Sequence, residues 1–411
     1  LSPNQAATKL SPDHALSPQQ QTLKEKILAF CARHRHGEKG FFIIEGTAGT
    51  GKSLVLNNIF REIQKSARLK NTEFSGTKNY LVVNHLEMLK LYRNISENIP
   101  ELRKSDYERP TTLINRLDKN AQKADIVLID EAHLLLTRPD RYNKFEQNNQ
   151  LEEILRLAQV VIIVYDTHQV LKFKSHWNSE LLAQFHNRAT TEIFHLDGQF
   201  RMQANKAVRD WIAAFCRQKI LPLPHDPHFD LRIFDDAQEM YEQLKSRNAQ
   251  DGLSRILATY DYPYRLDGHD YFIHEGRFRL RWDRAQPQAR LPWAERPDTI
   301  DEVGSVYTIQ GFDLNYAAII LGPSLGYDTK ADKITVDPTR YEDGAAFAGR
   351  DGIAHAEHAK QTIMLNALNV LMTRGMKGLY LYASNPALRE QIAEAAASRS
   401  NVRENKYVST N

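Results

Sequence analysis

Cysteine is almost missing from this chain: Cys31 and Cys216 are the only two in 411 residues, and they lie far apart. A disulfide framework is therefore not suggested, and a reducing cytoplasm fits. Long apolar runs are missing as well. No stretch approaches the roughly 20 residues that cross a bilayer, and the N-terminus lacks the charged-then-apolar pattern of a signal peptide, so a cytoplasmic protein without a membrane partner is expected. Excess charge of one sign is scarce, with 54 Lys and Arg against 51 Asp and Glu and a net charge of +3. That balance neither demands a nucleic-acid partner nor excludes one, because a basic groove can hide inside a near-neutral total. The chain opens on Leu1 rather than methionine, which leaves room for upstream residues.

What is present is ordinary globular material, 42% hydrophobic and 26% charged, in a length that suits two or three domains. One stretch stands out. Phe41-Phe42-Ile43-Ile44 reads as a buried strand, Gly46 to Gly51 as a tight loop, and the run from Ser53 to about residue 65 as a helix. Gly46, Gly51, Lys52 and Ser53 satisfy G-x-x-x-x-G-K-[ST], with Thr47, Ala48, Gly49 and Thr50 as the variable positions. Gripping a triphosphate takes several backbone N–H groups at once, so the loop needs residues with small side chains and access to positive φ. The helix start adds partial positive charge, Lys52 suits the β and γ phosphates, and the Ser53 hydroxyl suits Mg²⁺. The cofactors expected are ATP and Mg²⁺.

A second anchor is Ala124-Asp125-Ile126-Val127-Leu128-Ile129-Asp130-Glu131-Ala132-His133. A continuous apolar strand delivers two carboxylates at its C-terminal end, the edge where open α/β sheets bind ligands. Asp130 is expected to hold Mg²⁺ and Glu131 to orient and deprotonate an attacking water; two carboxylates beside a buried strand are costly without a cation or other partner. A third strand, Val160 to Tyr165, leads to Gln169, placed to sense a γ-phosphate.

Other segments leave alternatives open. A glutamine in Ser17-Pro18-Gln19-Gln20-Gln21 suits either an adenine edge or an ordinary helix start. Arg201, after Gln199-Phe200, is either a phosphate contact or a surface arginine. Arg103, Lys104 and Arg109 near Thr111, Thr112 and Asn115 form either a nucleic-acid backbone grip or a solvated face. The segment from about 261 to 298, with Trp282 and Trp293, either stacks bases or packs its own aromatics. Residues 324 to 360 read as an excursion from the fold.

Taken in order, the P-loop, Asp130-Glu131-Ala132-His133, the strand leading to Gln169, Gln199-Phe200-Arg201, Thr308-Ile309-Gln310-Gly311 and Thr373-Arg374-Gly375 resemble the superfamily 1 helicase set. The wording is closer still to a bacterial helicase-like family related to the Schlafen group 3 helicase domain. Asn84-His85, Glu87-Met88-Leu89-Lys90, Val303-Gly304-Ser305-Val306 and Leu371 to Gly378 carry that likeness, which spans about residues 16 to 390. The resemblance implies an α/β fold of two RecA-like lobes with mainly parallel sheets and ATP in the cleft between them. It divides the chain into a loosely ordered lead (1–15), lobe 1 (16–202), lobe 2 (203–400) and a polar tail (401–411).

By the same resemblance Gln20 reads adenine, Gln169 couples the γ-phosphate to the second lobe, and Arg201 and Arg374 reach the phosphates. Gln310, Gly311 and Asp313 link the nucleotide and nucleic-acid sites. The family's usual residue at the last of these is glutamate, so Asp313 is one methylene short. The activity implied is ATP hydrolysis driving movement on single-stranded DNA or RNA. Large accessory insertions do not fit between the motifs, so hydrolysis is expected ahead of strand separation. Two other classes match the P-loop: a nucleotide-gated module controlling a protein effector such as a nuclease or defence complex, and a small-molecule kinase.

Overall fold

Ser17 opens the first helix by a reciprocal cap: its hydroxyl accepts from the Gln20 N–H at 3.2 Å while the Gln20 side-chain oxygen accepts from the Ser17 N–H at 2.9 Å. Pro18 at the first helical position needs no N–H partner there. The computed structural model describes residues 10–46, 51–166, 169–175, 177, 179–196, 202–284, 286, 288–309, 311–349 and 355–408. The chain divides into two compact units, Leu1–Phe200 and Arg201–Asn411.

In the first unit the order is α1 (Pro18–His34), β1 (Gly40–Glu45), α2 (Lys52–Arg68), β2 (Asn79–Val83), α3 (Leu86–Ser96), β3 (Tyr107–Glu108), α4 (Pro110–Lys119), β4 (Ala124–Asp130), α5 (Gln150–Leu157), β5 (Ala158–Tyr165), α6 (Ser179–Ala183) and β6 (Thr190–His195). The strands form one sheet in the order β3-β2-β4-β5-β1-β6 with every pairing parallel. A parallel sheet is covered on both faces, which is why β1, β4 and β5 read as continuous apolar runs. Phe41, Ile43, Leu128, Ile129, Ile162 and Ile163 have no exposed surface. Each side chain so buried contributes roughly 1.5–3 kcal/mol.

The register fixes the site's geometry. Ile43 and Ile129 both pair with Ile163, so β1, β4 and β5 end level with one another. β5 lies between β1 and β4, and the loops after all three leave from one edge.

The lead differs from expectation in its last residues. Leu10 is buried, and the side-chain amides of Asn57 and Asn58 on α2 donate to the carbonyls of Leu10 and Pro12 at 3.0 and 2.8 Å. Arg61 pairs with Asp13. Those hydrogen bonds hold the lead as a strap on the helix that begins at Lys52.

The second unit holds α7 (Lys206–Cys216), β7 (Asp230–Ile233), α8 (Ala237–Asp251), β8 (Arg255–Ala258), β9 (Phe272–Glu275), β10 (Phe278–Trp282), β11 (Glu302–Gly304), α9 (Val306–Ile309), β12 (Leu314–Leu321), β13 (Leu325–Asp328), β14 (Lys333–Val336), α10 (Ala356–Met372), β15 (Gly375–Ala383) and α11 (Pro386–Val408). Its seven-stranded sheet runs β7-β15-β12-β8-β11-β10-β9, parallel except for the β9-β10 hairpin. The fold class is thus α/β, two RecA-like lobes of mainly parallel sheet. The aromatic segment is core: Trp282 is fully buried and Trp293 nearly so, with Tyr260 and Tyr262 packed on Trp282. Base stacking by these tryptophans is therefore ruled out in this arrangement. The expected excursion contains the β13-β14 hairpin, with Leu325 and Ile334 buried, and α11 carries helix on to Val408 where a tail was expected. Among the described residues no helix is long and apolar enough to cross a membrane.

β12 and β15 pair with a register shift between Leu314 and Tyr316, opposite the segment that follows Arg374. A Cβ at Gly375 would run into the Gly378 carbonyl oxygen, and one at Gly378 would meet the Tyr316 ring and the Asp230 carbonyl. The glycines of this segment therefore answer to close backbone approach. Gly375→Ala should destabilise the second unit by about 1–3 kcal/mol through overpacking. Thermal unfolding checks this, and an unchanged melting profile would refute it.

Candidate functional site

The first unit brings the P-loop lysine and the two carboxylates to the shared strand edge. Gly51 caps α2 in the left-handed region at φ 75°, ψ 22°, a conformation open to glycine and strained in most other residues. Helix begins at once with Lys52, whose ammonium is mostly buried and donates to the Gly46 carbonyl at 2.7 Å. Lys52 thus closes its own loop from end to end. The Gly46 N–H in turn donates to the Tyr165 carbonyl at 3.4 Å, tying the loop's entry to β5.

Asp130 ends β4 with no exposed surface. One carboxylate oxygen accepts from the Glu131 N–H at 2.9 Å and the other from the Tyr92 hydroxyl at 2.6 Å. The neighbouring Ser53 hydroxyl favours the ionised form of both groups. Burial, and then the charge of Glu131, push the Asp130 carboxyl up to about 6, and these hydrogen bonds limit the rise. Burial also pushes the Tyr92 hydroxyl far up, so it stays a donor.

Glu131 lies in the left-handed region at φ 50°, ψ 49°, which for a residue with a Cβ costs roughly 1–3 kcal/mol. A short 3-10 turn follows and buries His133, whose Nε2 is 3.0 Å from Glu131 Oε2. Burial works against the Glu131 charge, but His133 first, then Lys52 and His85, outweigh it and hold the carboxyl below the usual carboxylate range.

Gln169, after β5, is buried and donates to Asp166 at 2.8 Å. Gln20 has the capping task described above. Asn84 donates to the Leu134 carbonyl at 2.8 Å, bracing the turn after Glu131, and accepts from Arg109 at 3.2 Å. The expected basic grip is largely taken up internally: Lys104 pairs with Glu97, Arg109 also reaches Asn143, and Thr111 accepts from Gln150.

In the second unit Gly311 turns at φ 84°, and Arg374, buried, donates weakly to the Phe312 carbonyl at 3.4 Å. The Leu314 N–H donates to the Arg374 carbonyl at 2.9 Å, and the Gln203 N–H to the Met376 carbonyl at 2.7 Å. The structure thus gathers Gly311, the half-buried Asp313, Arg374 and the chain just after Arg201 around the starts of β12 and β15. Thr47, Ala48, Gly49, Thr50, Arg201 and Gln310 lie outside the described residues.

The donor set fits Mg²⁺ with a nucleotide. Mg²⁺ is commonly held by one or two protein oxygens plus phosphates, and the Ser53 hydroxyl at the start of α2 with the wholly buried Asp130 carboxylate at the end of β4 are such a pair. Among the described residues no cluster of three or more His, Cys, Asp or Glu offers an all-protein cage. Sequence reasoning missed Tyr92 and His133 as members of the site. The signal available for Tyr92 was a hydroxyl on the apolar stripe Met88, Leu89, Tyr92, Ile95, since a buried tyrosine needs a partner.

Among solved structures, the Pif1 helicase from Candida albicans aligns over 96% of this chain and 100% of its own, at 11% identity and a TM-score of 0.36. AMPPCP-bound DnaA from Aquifex aeolicus aligns over 49% of this chain and 60% of its own, at 15% identity and a TM-score of 0.27. An uncharacterized protein of Saccharomyces cerevisiae is 44% identical over 420 residues, covering 94% of this chain and 92% of its own length. That relative is from a yeast, so the bacterial part of the sequence resemblance finds no support. Residues 39–385 match the Schlafen group 3, DNA/RNA helicase domain, a span that takes in the P-loop, Asp130-Glu131 and Arg374 alike; the chain belongs to that helicase-like family of nucleotide-driven motors.

Proposed function

We propose that this protein hydrolyses ATP and uses the cycle to move along or remodel single-stranded nucleic acid, as a superfamily 1 helicase-like motor. The observation that carries the reading is the shared sheet edge, where Lys52, Ser53, Asp130 and Glu131 meet. Lys52 leaves the Gly46 carbonyl for the β and γ phosphates, and Ser53 with Asp130 holds Mg²⁺, whose chemistry is to neutralise charge on the triphosphate. Glu131, held ionised, accepts a hydrogen bond from water and orients it at the γ-phosphorus. The water oxygen bonds to phosphorus, the bond from phosphorus to the β–γ bridging oxygen breaks, and the water proton passes to Glu131.

Arg374 and Arg201 are assigned to the charge on the transferred group, Gln169 to sensing it, Gln20 to the adenine, and Gln310, Gly311 and Asp313 to coupling with nucleic acid. These assignments rest on the family resemblance. An arginine in that position is worth roughly 10³–10⁵ in rate.

Lys52→Ala should abolish turnover and weaken nucleotide binding, whereas Glu131→Gln should abolish turnover and keep nucleotide bound. Normal hydrolysis by Glu131→Gln would remove the assigned base. Arg374→Ala should lower kcat by at least about 10³ with little change in nucleotide affinity; a rate within tenfold of wild type would remove the arginine from the chemistry. Phosphate release measured with and without single-stranded DNA and RNA tests the motor. Stimulation by either is expected. Indifference to both, with partner capture that depends on ATP, would turn the reading to a nucleotide-gated module.

A further inference from the structure

The residues expected to bind Mg²⁺ sit on separate elements, Ser53 on the first turn of α2 and Asp130 at the end of β4, and a path of side-chain contacts ties the two elements together. Ser53 and Asn57 are four residues apart and share a face of α2. The fully buried Asn57 accepts from the Tyr107 hydroxyl on β3 at 2.9 Å. The Tyr107 ring stacks on Tyr92 of α3, with centroids 5.4 Å apart and planes 12° from parallel, and is held at its other side by the edge of Phe60 at 5.3 Å. The Tyr92 hydroxyl then donates to Asp130 at 2.6 Å, completing the path from α2 to β4. Outside it, the Asn57 amide grips the Leu10 carbonyl of the N-terminal strap.

Tyr92 therefore holds one metal-binding residue directly and is itself braced by a pair that reaches back to the helix of the other. We propose that Tyr92 is a positioning residue: its hydroxyl holds the Asp130 carboxylate in place opposite Ser53 for Mg²⁺, and the Tyr107-Asn57 pair holds Tyr92. The inference rests on the ATP reading of the same site and deepens it. A neutral donor suits the task. It satisfies one lone pair of a carboxylate sealed from water and fixes its rotation, and it adds no positive charge to compete with a cation. A lysine or arginine in the same place would form an ion pair in the cation's stead.

The test is nucleotide binding, followed with a fluorescent ADP analogue as Mg²⁺ is titrated, on the full chain. Tyr92→Phe keeps the ring stack and deletes the hydroxyl. The Mg²⁺ concentration at half-maximal binding should rise on the order of tenfold, as loss of a group supporting a metal ligand does, with affinity in EDTA unchanged. Tyr107→Phe breaks the path one step away and should shift the same midpoint in the same direction by less; it also serves should Tyr92→Phe not fold. Tyr165→Phe is the control, since that buried hydroxyl makes no hydrogen bond among the described residues, and it should leave the midpoint in place. An unmoved midpoint in Tyr92→Phe, or an equal shift in Tyr165→Phe, would overturn the proposal while leaving the ATP reading intact. Binding by the wild-type protein that is indifferent to Mg²⁺ would overturn both.

Discussion

A carboxylate sealed from water organises the first unit. Asp130 has no exposed surface, so its charge is tolerable only if the surroundings donate to it. The Glu131 N–H and the Tyr92 hydroxyl do so directly, and the Ser53 hydroxyl on a third part of the chain adds to their effect. Meeting that requirement forces β4, α3 and α2 into one arrangement, and the same arrangement sets Lys52 at the mouth of its loop. Local conformation follows suit. Glu131 accepts a left-handed backbone because the turn it begins seats His133 against its own carboxylate, and the attraction offsets the strain. Strain of this kind belongs where the surrounding structure over-determines the backbone, as it does here.

The sheet's register converts this local chemistry into a site. Because β1, β4 and β5 are parallel and end level, three loops distant in sequence leave from one edge without any long excursion. A slip of one residue in β4 would turn Asp130 to the opposite face of the sheet and carry its hydrogen bonds away with it. The apolar residues that hold the register are therefore as necessary to the chemistry as the carboxylate, although none of them touches it.

How much of this was legible depends on the range of the interaction. Gly51, Lys52 and Ser53 could be read directly, because a phosphate loop makes its demands on consecutive residues. Asp130 and Glu131 could be read because a buried strand ending in two acids is locally anomalous. The α/β architecture followed from the apolar runs and the order of motifs. What supports these residues could not be read: Tyr92 meets Asp130 across 38 positions, and Tyr107 meets Asn57 across 50. Neither pair has a spacing rule. β3 is two residues long, too short for any periodicity, yet it carries the tyrosine that steadies Tyr92. The lead misled for a related reason: its composition is that of a loose segment, and its order comes from two asparagines on another element that bond to its backbone, which any sequence would present equally well.

The second unit shows the opposite balance between backbone and side chain. Around Arg374 several contacts involve the main chain: Leu314 to Arg374, Gln203 to Met376, and the guanidinium on the Phe312 carbonyl. The glycines here answer to space and conformation, Gly311 for a left-handed turn and Gly375 and Gly378 because a Cβ would meet backbone or the Tyr316 ring. A guanidinium cannot give up its charge, so burying Arg374 requires polar partners, and the Phe312 carbonyl at 3.4 Å and the Thr373 hydroxyl at 3.5 Å are two of them.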